Sequence, residues 1–167
     1  MRRLILSFFG AGFLRPAPGT WGSLAALPVA YAIHLAAGPG AFVVATAFLY
    51  ALGVYLTDRE IASGGDHDPS WIVLDEVVGQ WIALFPVSIG AHQAGVDMAR
   101  LWPGIVTAFI FFRLFDIWKP WLVGRADRRG DATGVMLDDV WAGAFAALIV
   151  VALAALAHAG FVSAATP

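Results

Sequence analysis

Apolar residues run along this chain in long blocks, and polar residues gather in the gaps between them. The last block, Val140 to Val162, holds 23 residues without a charge and only His158 near its far end. About 20 apolar residues suffice to cross a bilayer. Residues 24–56 form a second block, cut by Gly38-Pro39-Gly40, a turn signal that predicts a helical hairpin. Its first arm, about 14 residues before the break, is short for a full crossing. Val77 to Ala91 and Leu101 to Phe115 make two further segments, joined by the polar AHQAGVDMAR. The pattern predicts an all-α, membrane-embedded bundle of about five helical segments, one domain over residues 1–167.

Composition agrees with that setting. The chain is 60% hydrophobic and 13% charged, with a mean hydropathy of +0.77, whereas soluble domains run near a quarter charged. A net charge of −2 offers no basic stripe for a nucleic acid. Cysteine is absent, which excludes disulfides, thiolate metal sites and a cysteine nucleophile. Met1-Arg2-Arg3 gives a basic start, but LILSFFGAGF after it carries no cleavage signal.

Five crossings would put residues 1–23, 57–75 and 113–139 on one side, with nine of the ten Lys and Arg residues. The other side would hold only Arg100. Excess Lys and Arg marks the cytoplasmic side. Nearly every chemically capable side chain falls on that same side.

WIVLDEVVGQW and VMLDDVWAGAF repeat one pattern, an acidic pair between aliphatics and small residues. Asp75-Glu76 and Asp138-Asp139 are both expected where a membrane helix begins. Dipole matching, worth about 0.3–1 kcal/mol per acid, accounts for one acid per helix start. It accounts less well for adjacent pairs, which point about 100° apart. Gly79, Ala142 and Gly143 would let helices approach closely just below the acids. Ionisable groups at membrane depth are costly and usually functional.

FRLFDIWKPW, residues 112–121, sets Arg113, Asp116 and Lys119 three apart among aromatics. A pair of i,i+3 salt bridges would satisfy them without a ligand. Pro120 ends the helix directly after Lys119, so the three charges sit at a helix end near the interface. Carboxylates from several helices make an oxygen cage for Mg²⁺. Arg holds phosphate in a bidentate fork and Lys as a point charge. Together they describe phosphoryl transfer or hydrolysis with a metal-activated water. RPAPGTWGSLAALP adds a candidate phosphate loop containing Arg15, with Thr20 or Ser23 capping a helix that starts near Leu24. In GGDHDPS, Asp66, His67 and Asp68 read as a solvated turn. His34, His92 and His158 are isolated and carry no assigned role.

The motifs APGTWGS (17–23), DPSWIVLDEVVGQW (68–81), FRLFDIWKPW (112–121) and MLDDVWAG (136–143), in that order, resemble the phosphatidylglycerophosphatase A family of small bacterial inner-membrane enzymes. The resemblance implies Mg²⁺-dependent removal of the terminal phosphate of phosphatidylglycerophosphate, with the active site facing the cytoplasm. It implies a cation site built from Asp75, Glu76, Asp116 and Asp139, supported by Asp138, with Asp116 positioning the attacking water. Lys119, Arg113 and the 15–23 loop (Arg15, Thr20, Ser23) would hold the lipid phosphate, and Asp75, Asp116, Lys119 and Asp139 would be catalytic. Small residues on helix faces permit a homodimer. The alternative is a small transporter or ion-coupled carrier using the same carboxylates. The lack of an evident inverted repeat and the gathering of acids on one side argue against it.

Overall fold

The computed structural model describes residues 1–64 and 69–165; Asp66, His67 and Asp68 lie outside them. Its helices are α1 (Arg2–Leu6), α2 (Pro18–Ala62), α3 (Leu74–Ala94), α4 (Trp102–Trp118), α5 (Leu122–Asp127) and α6 (Ala132–Ala165). No strand occurs among the described residues. Short 3-10 turns at Ala11–Phe13 and Met98–Leu101 precede α2 and α4. Three stretches, α2, Met98–Trp118 and Ala132–Ala159, are long and apolar enough to cross a membrane. The expected all-α bundle is present, with α1 and α5 as short additions.

The helix α2 is a hairpin of two arms. Gly38 leaves helical geometry at φ 75° and ψ −178°, and Pro39 has no N–H to bridge the break. Trp81 of α3 shows that the arms fold back. Its indole N–H donates to the Ala26 carbonyl at 3.0 Å, and its ring meets Phe42 edge-on with centroids 5.5 Å apart. On one straight helix, residues 26 and 42 would stand about 24 Å apart. The sequence expectation was wrong about where the first arm starts. It begins at Pro18, where a missing N–H costs nothing, because the first turn has no partner for it. That arm is therefore about 20 residues long, enough to cross.

Twelve of the 21 residues of α3 are buried, and the two arms, α4 and α6 surround it. Its polar side chains are consequently sheltered. Ser88 pairs with Nδ1 of His34 at 2.7 Å, both buried, so His34 is not the isolated side chain its sequence context indicated. At the other end, Arg2 Nε and Arg3 Nε reach buried Glu60 at 2.6 and 3.3 Å. The Val73 amide donates to the Leu6 carbonyl at 3.0 Å. α1 thus pins both the end of α2 and the start of α3.

α3 and α6 touch backbone to backbone. A Cβ on Gly143 would lie 2.3 Å from the Gly79 carbonyl oxygen. A Cβ on Gly79 would lie 2.4 Å from the Phe112 ring and 2.6 Å from the Asp139 carbonyl oxygen. Glycine at both positions is what the approach requires, as its place below the acids led us to expect. Ala142, Gly79 and Gly143 are buried within the chain by these contacts.

Candidate active site

The two acidic pairs reach one place by different routes. Asp75 and Glu76 occupy the first turn of α3. Asp138 and Asp139 do not begin a helix, contrary to expectation, because α6 starts at Ala132 and they lie in its second turn. The helix runs from Ala132 through Val135-Met136-Leu137 and both acids, whereas an uncharged block alone starts only at Val140. The Gly79–Gly143 contact one turn further in then fixes how closely the two pairs approach. One carboxylate oxygen from each of Asp75, Glu76 and Asp139 lie within 4.8 Å of one another.

These three acids wall a cavity of about 330 Å³. Arg113, Asp116 and Lys119 enter it from the end of α4, and Asp127 and Asp138 from α5 and α6. Six carboxylates therefore share the space with two cations. Burying ionised carboxylates without partners is expensive. Glu76 Oε2 and Asp139 Oδ1 are buried and accept no hydrogen bond among the described residues. An excess of buried negative oxygens with unfilled acceptor positions is what a hard divalent cation satisfies.

The two cations are themselves tied in place. Arg113 Nη1 lies 2.6 Å from Asp116 Oδ2 and 3.9 Å from Glu76 Oε1. Only one of the two expected i,i+3 bridges forms. Lys119 turns away from Asp116 because it ends α4 in the left-handed conformation, φ 51° and ψ 52°. That turn, ahead of Pro120, sends Nζ to Asp127 and to Asp138 Oδ2, the latter at 3.0 Å. Burial alone would lower the pKa of this ammonium, but Asp127 and Asp138 outweigh it and raise the pKa, keeping Lys119 charged. Left-handed backbone costs a non-glycine residue roughly 1–2 kcal/mol, a strain characteristic of functional positions.

Gly19 brings the start of α2 against this group. A Cβ there would lie 2.1 Å from Glu76 Oε1 and 3.0 Å from Arg113 Nη1. The first helical amide to find a carbonyl is Trp21, bonded to Ala17. The Gly19 and Thr20 amides ahead of it have no acceptor among the described residues, and such donors at a helix start attract anions.

Of the residues singled out in the sequence, Asp75, Glu76, Arg113, Asp116, Lys119, Asp138 and Asp139 line the one cavity. Arg15, Thr20 and Ser23 do not. Arg15 is exposed. Ser23 is buried and donates to the Gly19 carbonyl at 2.8 Å. Neither Thr20 nor Ser23 caps α2, since Ala17 holds that position. Asp127 was missed: nothing in WLVGRADRRGD distinguishes it from its solvated neighbours, and its tie to Lys119 is tertiary.

Comparison with known proteins identifies the family. Residues 4–154 match the family model described as phosphatidylglycerophosphatase A. The chain is 37% identical over 146 residues to a phosphatidylglycerophosphatase A of Haemophilus influenzae, covering 87% of this chain and 83% of that one. It is 34% identical over 141 residues to the phosphatidylglycerophosphatase A of Escherichia coli K12, covering 83% and 75%. It is also 35% identical over 151 residues to a Bacteroides thetaiotaomicron protein provisionally named a phosphatidylinositol-3-phosphatase, covering 88% and 89%. No solved structure matches. With a family model spanning nearly its whole length, this chain belongs to the phosphatidylglycerophosphatase A family of enzymes.

Proposed function

We propose that this protein hydrolyses the terminal phosphomonoester of phosphatidylglycerophosphate, with Mg²⁺ as cofactor, at the cytoplasmic face of a bacterial inner membrane. The observation that carries the reading is the convergence of Asp75, Glu76 and Asp139 oxygens within 4.8 Å, two of those residues having unpartnered buried oxygens. The donor set fits Mg²⁺, which prefers carboxylate oxygens and substrate phosphate. Asp75, Glu76 and Asp139 would hold it, with Asp116 and Asp138 beside them. When bound, the ion supplies Lewis-acid polarisation of the phosphoryl group and a more acidic water.

The chain's own residues do the rest. Arg113, anchored by Asp116, and charged Lys119, anchored by Asp127 and Asp138, offset the phosphate's negative charge. The Gly19 amide, at the start of α2, adds a donor at the cavity wall. Asp116 orients the attacking water and takes its proton. The water oxygen bonds to phosphorus, the bond from phosphorus to the glycerol oxygen breaks, and that oxygen takes up a proton. The products are phosphatidylglycerol and inorganic phosphate.

An ion-carrier reading fits less well. The acids gather at one end of the bundle, and the Gly79–Gly143 backbone contact closes the α3–α6 seam directly beneath them. The nine-to-one distribution of Lys and Arg supports the cytoplasmic orientation. The test is phosphate release by purified protein from phosphatidylglycerophosphate, and from phosphatidylinositol 3-phosphate for comparison. Release from the first lipid, abolished by chelator and restored by Mg²⁺, is expected. Release that survives chelation would overturn the metal role, and preference for the inositol lipid would overturn the substrate.

A further inference from the structure

A second lipid-shaped feature lies on the side of α6 turned away from the catalytic cavity. At the level of α5, Arg125 and Arg129 stand over a shallow pocket floored by Leu122, Leu137 and Trp141. Leu137 also opens a second, almost wholly apolar groove between the second arm of α2, after Gly38, and helices α3 and α6, with Val78 and Phe85 in its wall. Ile82 and Phe85 carry that groove into a third, which follows Ile89 on α3 and Leu148 and Val151 on α6. Leu137 is common to the first two, and Ile82 and Phe85 to the last two, which sets the three in succession as one path along α6. From Leu137 to Val151 it follows α6 for about 21 Å, longer than the roughly 15 Å of one hydrocarbon leaflet.

Of the two arginines at the basic end, only Arg125 is left unspent by the fold. Arg129 is exposed but already donates two hydrogen bonds to Asp131, Nε to Oδ1 at 3.2 Å and Nη2 to Oδ2 at 2.9 Å. Arg125 is exposed and makes no side-chain ion pair or hydrogen bond among the described residues. Neither arginine lines the catalytic cavity. Trp121 and Trp118 beside them are 77% and 66% exposed, in keeping with residues at headgroup depth.

We infer that this channel is a non-catalytic site for a diacyl phospholipid with an anionic phosphodiester headgroup. Arg125 takes the phosphate, with the Arg129–Asp131 pair beside it, and one acyl chain lies along Leu137, Ile82 and Phe85. Charge complementarity at one end, an apolar groove at the other, and a length that accommodates a chain select this occupant over a zwitterionic lipid or a bare anion.

The test uses the full chain purified in detergent, with bound lipid counted by native mass spectrometry. Dioleoyl phosphatidylglycerol, dioleoyl phosphatidylcholine and inorganic phosphate serve as probes. Wild-type protein is expected to retain one phosphatidylglycerol at least fivefold better than phosphatidylcholine, with inorganic phosphate failing to displace it. Arg125→Gln, which leaves the Arg129–Asp131 pair intact, is expected to erase that preference. Leu137→Trp, which fills the groove below intact arginines, is expected to lower retention at least fivefold. Hydrolysis of a soluble phosphomonoester should stay unchanged in Arg125→Gln, separating this site from the catalytic one. Equal retention of both lipids, displacement by inorganic phosphate, or retention indifferent to both substitutions would overturn the proposal.

Discussion

Asp75-Glu76 and Asp138-Asp139 look alike in the sequence and are held quite differently. The first pair sits at a helix start, where the dipole favours negative charge. The second sits inside α6, where no such compensation exists. There the two acids divide: Asp138 is answered by Lys119, and Asp139 keeps a buried oxygen without a partner. Glu76 in the first pair keeps one too. One member of each pair is thus left open toward the other helix. Neither pair makes a site alone, and the cavity is a property of the α3–α6 crossing.

The comparison ranks the experiments. Asp139→Asn removes the open carboxylate and should lower turnover about a thousandfold, the rate equivalent of roughly 4 kcal/mol. The purified protein should keep its helical circular dichroism; a mild loss would take Asp139 out of the machinery. Gly143→Ala leaves every acid in place but drives a Cβ into the Gly79 carbonyl. It should cost about 1–3 kcal/mol of stability, read as a lower midpoint of thermal unfolding. The displaced pairs should also lose about a hundredfold in turnover. Asp138→Asn should cost less, about tenfold, because Lys119 still has Asp127. Equal losses from Asp138→Asn and Asp139→Asn would erase the distinction drawn between them. Ser23→Ala should change turnover less than about twofold and stability by about 1 kcal/mol at most, since its hydroxyl serves the Gly19 carbonyl and not the cavity.

Much of this was legible before any coordinates. The Gly-Pro-Gly break, the count of long apolar segments, and the small residues beneath the acids each have a local physical signal. Pro18 also carried one, the preference of proline for a first helical turn, and weighing it would have started α2 correctly. The early start of α6 was hidden because Asp138-Asp139 separate Val135-Met136-Leu137 from the uncharged block that begins at Val140, and a search for uncharged runs stops at the acids. Asp127 and the His34–Ser88 pair were out of reach for another reason. Ser88 lies 54 residues from His34, and Asp127 meets Lys119 across the turn at Pro120, so neither pairing follows a helical repeat along one segment.

Mn²⁺ titration of the purified protein, followed by the loss of free-ion paramagnetic resonance signal, addresses the convergence of acids most directly. Wild-type protein should bind the ion saturably, Mg²⁺ should compete for it, and both Asp139→Asn and Glu76→Gln should abolish the binding. If either substitution leaves the titration unchanged, α3 and α6 do not share one cation, and the central claim fails.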